Sequence, residues 1–216
     1  MRKIVYLGWI AVILLAVSCS TVRLESSYKD PDVVLFNSQK LLVVGLTQDM
    51  RVREAFESRL QEIFEDEGIE TMRSIDLFDV EFTSAERSEE ELSQVEAQLI
   101  EKDFDAILFT KVLGTETHTT LRRKIRELGE SYEQFNEDYI LHQGVYYDRD
   151  YYEIDTDYYV ESSVYCVCPG KARNLIWRSV VLISEPNNTQ RAIRDFIDLI
   201  TEELAGQQVL LEAHAY

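Results

Sequence analysis

The chain has 216 residues, 45% of them apolar, which suffices for one domain with a real core, and its 40 acidic against 22 basic residues give a formal net charge of −18. A field of that sign repels phosphate backbones and excludes nucleic acid as a partner class. Eight glycines, three prolines and three cysteines exclude collagen-like, low-complexity and disulfide-framework chains. At the N-terminus, Arg2 and Lys3 precede an apolar run from Ile4 to Val17, followed by Ser18 and Cys19. A basic segment, a short apolar segment and a small residue read as a secretion signal. As a helix the run spans only ~21 Å, short of the ~30 Å hydrocarbon core of a bilayer.

The sequence Leu15-Ala16-Val17-Ser18-Cys19 resembles the bacterial lipobox, in which the cysteine is acylated and the chain is cleaved just before it. The resemblance implies that residues 1–18 are a lipoprotein signal peptide and that Cys19 is the lipid anchor, carrying palmitate-type chains. Ser20 stands where the family's inner-membrane retention signal has aspartate, which implies the periplasmic side of the outer membrane. Without the resemblance the segment is an ordinary signal peptide and Cys19 is incidental.

Residues 19–37 begin polar and lack helical periodicity, and are expected to be a lipidated tether. A single domain over residues 38–216 follows. Leu41-Leu42-Val43-Val44-Gly45-Leu46 reads as a buried strand and Asp49 as the cap of a helix. Val52, Phe56, Leu60, Ile63 and Phe64 line one face of that helix, which ends near Gly68. Arg51, Arg53, Glu54, Glu57, Arg59, Glu62 and Glu65 are expected on its solvated face. Ile69 to Ile75 reads as a second strand. Ser88 and Glu91 form a capping box opening a helix with Leu92, Val95 and Leu99 inward, and Ala106 to Leu113 is a third strand.

Crossovers of this length predict a parallel core to the sheet. Tyr158 to Cys168 and Leu175 to Ser184 then read as an antiparallel hairpin, with Trp177 in the core. A last helix is capped by Asn187, Asn188 or Thr189 and turns Ile193, Phe196, Ile197, Ile200 and Leu204 inward. The predicted fold is α/β, a mixed sheet of about five strands with helices packed on it.

Several segments resemble a family of bacterial envelope lipoproteins: Ser27-Tyr28-Lys29-Asp30-Pro31, Leu42 to Thr47 leading to Arg53 and Phe56, Ala106-Ile107-Leu108, and Leu175-Ile176-Trp177. The strand order is similar to that of the accessory domains of the TolB amino-terminal, curli-secretion and peptidoglycan-synthase-activator lipoprotein groups. The resemblance implies fold and location, and fold does not fix function.

Residues 127–161 hold 11 acidic residues against one basic, Arg149, with eight tyrosines. The excursion over 127–157 is expected to include extended strands around Tyr146 to Tyr152. Tyr146, Tyr147, Asp148, Asp150, Tyr151 and Tyr152 are the candidate contact surface for an envelope protein or polymer, because tyrosine joins a broad apolar face to a polar tip. The plainer reading is an exposed hairpin whose tyrosines cover a sheet edge.

Asp148, Asp150, Glu153, Asp155 and Asp157 are a weak calcium set without EF-hand spacing. Cys166 and Cys168, on one face of a strand, are expected to be two buried thiols, and no metal or other cofactor is indicated. His118, His142 and His214 accompany no nucleophile or metal motif, and Leu46-Thr47-Gln48-Asp49 lies at a strand-to-helix turn of the kind that binds ligands in α/β folds. The functional expectation is a lipid-anchored, non-enzymatic binding or assembly module of the cell envelope. The alternatives are an envelope hydrolase assembled from separate segments, with at least two of His118, His142, Asp49 and neighbouring carboxylates converging in a deep pocket, and a calcium-dependent glycan binder.

Overall fold

The structure, a computed structural model, describes residues 22–78, 82, 86–113, 135–143, 146, 157–167, 175–184 and 188–211. The run of leucine and valine at 41–44 is shielded on both faces and forms the interior of strand β2, Lys40–Leu46, after an edge strand β1, Val22–Lys29. Asp49 then accepts hydrogen bonds from the Arg51 and Val52 N–H groups and opens helix α1, Met50–Asp66. Gly68, at φ 85°, turns the chain out of that helix in the left-handed region that only glycine enters freely. Strand β3, Glu70–Arg73, runs directly into a one-turn helix α2, Ser74–Leu77, so the second strand is shorter than the sequence suggests.

The capping box forms as predicted. Ser88 accepts from the Glu91 N–H and the Glu91 carboxylate accepts from the Ser88 N–H, starting helix α3, Glu89–Glu101. The Ser88 backbone donor and Arg87 hold the Glu91 carboxyl below its ordinary range. Strand β4, Ala106–Val112, follows, then helix α4, Phe135–His142. Strands β5, Asp157–Cys166, and β6, Leu175–Ser184, make the expected antiparallel pair. Asn188 caps helix α5, Thr189–Gly206, by accepting from the Arg191 N–H.

These strands form one mixed six-stranded sheet in the order β1-β6-β5-β4-β2-β3. Only β3-β2-β4 is parallel, and the rest is antiparallel. The α/β class and the mixed sheet agree with the sequence, and the strand beyond the expected five is β1. Residues 22–29, assigned to the tether, instead pair with β6 from Val22↔Ile183 to Lys29↔Trp177. Their polarity misled because an edge strand needs only one neighbour and one buried face, and charges such as Arg23, Glu25 and Lys29 are what edges commonly carry.

The two faces of the sheet are covered differently. On one face α1 and α5 pack together through Phe56 and Phe196, with ring centroids 6.0 Å apart, over Leu41, Val43, Leu108, Val164 and the fully enclosed Trp177. On the other, α3 and α4 cover Leu42, Val44, Ile107, Phe109 and Tyr165. Phe135 of α4 meets the Phe109 ring edge-on at 5.4 Å. This helix lies inside the acidic, tyrosine-rich stretch, ahead of the segment 146–152 for which extended strands were expected and of which only Tyr146 is described.

Candidate functional site

The fold brings two features to the carboxyl ends of the parallel strands. Strand β2 crosses through α1 to β3 on one side and the chain then returns through α3 to β4 on the other, which leaves a topological switch point between β2 and β4. A cleft of about 440 Å³ opens there on the α1 and α5 face. Its size falls within the ~300–1,000 Å³ typical of small-molecule sites. Val52 and Phe56 of α1, Val160 of β5, Ile183 of β6, and Ile193 and Phe196 of α5 form its apolar wall. Polar residues are fewer: Thr47, Asp49, Thr110, Tyr158 and Thr189 also line it, as does Lys111, whose ammonium is bound to Asp138 and Glu161.

The turn at Leu46 to Asp49, singled out in the sequence as a ligand position, thus borders the cleft. Asp49 is committed to capping α1 and brings its carboxylate to the rim. Gly45 permits close approach of helix to strand. A Cβ at this position would lie 3.1 Å from the Phe56 ring, and the Gly45 N–H donates to the Glu57 carboxylate at 2.8 Å.

That carboxylate belongs to a buried network the sequence did not suggest. Glu57 also accepts from Arg53 Nε at 3.1 Å, from Ser74 Oγ at 2.6 Å and from the Ile75 N–H at 3.0 Å, while Arg53 Nη2 donates to Ser74 Oγ at 2.8 Å. Arg53 and Glu57 are 2% and 0% exposed, whereas both were expected on the solvated face of α1. The reason is α2: its one turn folds back over the helix and buries a stripe that a helix lying alone on the sheet would leave wet.

A second network sits on the opposite face beneath α4. Lys111 of β4 donates to Asp138 of α4 and, at 2.8 Å, to Glu161 of β5. Arg178 of β6 lies 3.3 Å from the Glu161 carboxylate and donates to Ser163 Oγ at 3.3 Å. Tyr165 donates its hydroxyl to Asp138 at 2.6 Å, and His142 Nδ1 donates to the Asp138 carbonyl at 2.9 Å. Two cations face two carboxylates across three strands and a helix, with Lys111 and Asp138 almost wholly enclosed.

Burial pushes the Asp138 carboxyl up, but the Lys111 ammonium and the His142 ring outweigh it and hold the group at about 2. Burial first, and then the Asp138 carboxylate, push the Tyr165 hydroxyl well above its ordinary value. Such an arrangement fixes α4 to the sheet.

The sequence candidates are distributed unevenly. Cys19 lies outside the described residues, as do Tyr147, Asp148, Asp150, Tyr151 and Tyr152. Tyr146 is half-buried: its ring lies 5.4 Å from the Arg53 guanidinium and its hydroxyl donates to the Gly45 carbonyl at 3.5 Å. Of the acidic set considered for calcium only Asp157 is described, and no group of potential metal ligands occurs among the described residues.

His118 and His214 are outside the described residues. Asp49 and His142 are not brought together: Asp49 lines the cleft, while His142 ends α4 and lies 3.0 Å from the Asp138 carboxylate. Cys166 is disulfide-bonded, so the expectation of two free thiols is corrected, and its partner lies outside the described residues. That expectation placed Cys166 and Cys168 on one straight strand, but β5 ends at Cys166.

These features define an α/β domain with a switch-point cleft on one face and a buried ion network on the other. Among solved structures the chain is similar to the PelC dodecamer from Paraburkholderia phytofirmans at 10% identity and TM-score 0.41, covering 85% of this chain and 97% of that one. No family model matches, and no curated protein matches.

Proposed function

We propose that the chain is a lipoprotein held at the periplasmic side of the outer membrane by acyl chains on Cys19, and that it serves there as a non-enzymatic binding module of the cell envelope. The observation that carries this reading is the lipobox-like Leu15-Ala16-Val17-Ser18-Cys19 behind a basic and apolar leader. The Cys166 disulfide supports it, because disulfides persist in oxidising compartments such as the periplasm.

The same disulfide leaves Cys19 available. Val22 pairs with Ile183, which pairs with Tyr158, and Cys166 is eight residues further along β5, ~26 Å away at ~3.3 Å per residue. Three residues upstream of Val22, Cys19 reaches at most ~11 Å. It is too far away to be the partner of Cys166 within one chain.

An envelope protein or polymer remains the proposed partner class. The hydrolase alternative asks that at least two of Asp49, His118, His142 and neighbouring carboxylates meet in a deep pocket; His142 lies 3.0 Å from the Asp138 carboxylate, but neither lines the cleft that Asp49 borders. Metabolic labelling with an alkyne-bearing palmitate in a bacterium that processes lipoproteins tests the reading. The chain should take up label and sediment with outer membranes, and Cys19→Ala should take up none; an unlabelled, freely soluble native chain would overturn it.

A further inference from the structure

Residues 1–21 lie outside the described residues, but where they join the sheet is fixed. Val22, the first residue of β1, pairs with Ile183, and Ile183 lines the switch-point cleft. Val22 is itself buried on the α1 and α5 face, the face on which the cleft opens. The chain therefore enters the domain beside the cleft. Only Ser20 and Thr21 separate Cys19 from β1, not the long tether expected from the sequence.

We propose that the cleft is the seat of one acyl chain carried on Cys19 of the same polypeptide. The inference rests on the reading that Cys19 is acylated and adds what the domain does with one of the chains. Three physical arguments support this occupant. The cleft wall at Val52, Phe56, Val160, Ile183, Ile193 and Phe196 is aliphatic and aromatic, which suits a hydrocarbon, and the one cationic residue lining the cleft, Lys111, has its ammonium engaged by Asp138 and Glu161.

Tethering is the second argument. A chain attached no more than ~11 Å from Val22 meets the cleft at the millimolar effective concentrations of short linkers, an advantage that a lipid free in the bilayer lacks. Exchange is the third. Bilayer tails are no more apolar than such a wall, so moving one chain from bilayer to cleft costs little there and removes apolar surface from water. With several chains on the cysteine, one can occupy the cleft while the others hold the membrane.

The consequence is orientation. A domain that grips its own anchor presents the α1 and α5 N-terminal ends to the lipid sheet and turns the other end of the sheet, at Cys166, toward the periplasm. The test feeds cells a palmitate analogue bearing both a diazirine and an alkyne, irradiates intact membranes, purifies the full chain and maps the cross-linked peptides. The cross-link should fall on β6 and α5, around Ile183, Ile193 and Phe196. Ala192→Trp, which fills the cleft from its α5 wall, should abolish it without removing the label from Cys19, and Ile193→Asp at the wall should do the same if the tryptophan is not tolerated.

Cross-links from a labelled Cys19 that reach only phospholipid, another copy or another protein would overturn the inference and leave the anchored reading intact. Absence of label on Cys19 would overturn both.

Discussion

The two faces of this sheet solve the same problem by opposite means. Under α1 and α5, apart from the buried Arg53–Glu57 pair of α1, the packing is apolar and incomplete, leaving a cleft of about 440 Å³ at the strand ends. Under α4 only a small gap of about 10 Å³ remains beside Phe135 and Tyr139, and the aromatic packing there is joined by Lys111, Asp138, Glu161 and Arg178, closed into one network. An apolar wall with space beside it suits the acyl chain proposed for it. A closed network of ions instead fixes one geometry, because each member is costly to leave alone.

The sharpest way to break this comparison is to remove one ion from the network. Lys111→Met should destabilise the fold by about 3–5 kcal/mol, since Asp138 and Glu161 would remain buried with too little positive charge. Adding Asp138→Leu to that variant should recover much of the loss. Urea unfolding of the single and double variants measures both, and equal midpoints for wild type and Lys111→Met would show that the network contributes nothing.

Acid sharpens the same point. The Asp138 carboxyl is held at about 2 in the folded chain against an ordinary value of 3.8, so its contribution is present above pH 3.8 and is lost as pH falls from 3.8 toward 2. The size is about 2 kcal/mol. Unfolding followed from pH 5 to pH 2 should therefore show a step that Asp138→Asn flattens; an unchanged profile in the variant would place the acid sensitivity elsewhere.

On the cleft face the effects should be smaller. Ile193→Ala trims a wall that is already open, and should cost about 1 kcal/mol, below the ~2–5 kcal/mol of a fully packed aliphatic site. Leu60→Ala, in the closed part of the same face, should show that larger cost. Smallest of all, Ala192→Val should leave stability unchanged or raise it by about 0.5 kcal/mol, because the added methyl groups enter empty space. Thermal melting of the three variants orders them, and a large loss from Ala192→Val would mean that the wall is tightly packed.

The same contrast explains what could be read from the sequence. Periodic apolar runs and caps gave β2, α1, α3, β4, β5, β6 and α5, because each signal is local: Asp49, Ser88 with Glu91, and Asn188 all cap as their positions suggest. Edge strand β1 was hidden, since one buried face and three charges resemble a linker. The cleft was half legible, through the turn at Leu46 to Asp49, but its α5 wall comes from a helix more than a hundred residues away.

The networks were illegible for a related reason. Arg53 and Glu57 carry the spacing of a solvated i,i+4 pair, and it is the return of α2, with Tyr146 against Arg53, that buries them. Lys111 and Glu161 lie in strands 50 residues apart, and nothing local marks either as buried.

Everything proposed about location and about the cleft depends on the sulfur of Cys19. The most direct measurement is the mass of the N-terminal peptide of the chain taken from native membranes. A peptide beginning at Cys19 and heavier by a diacylglyceryl group and an amide-linked acyl chain is the predicted result. A peptide that keeps Met1, or that begins elsewhere with an unmodified cysteine, would contradict the account.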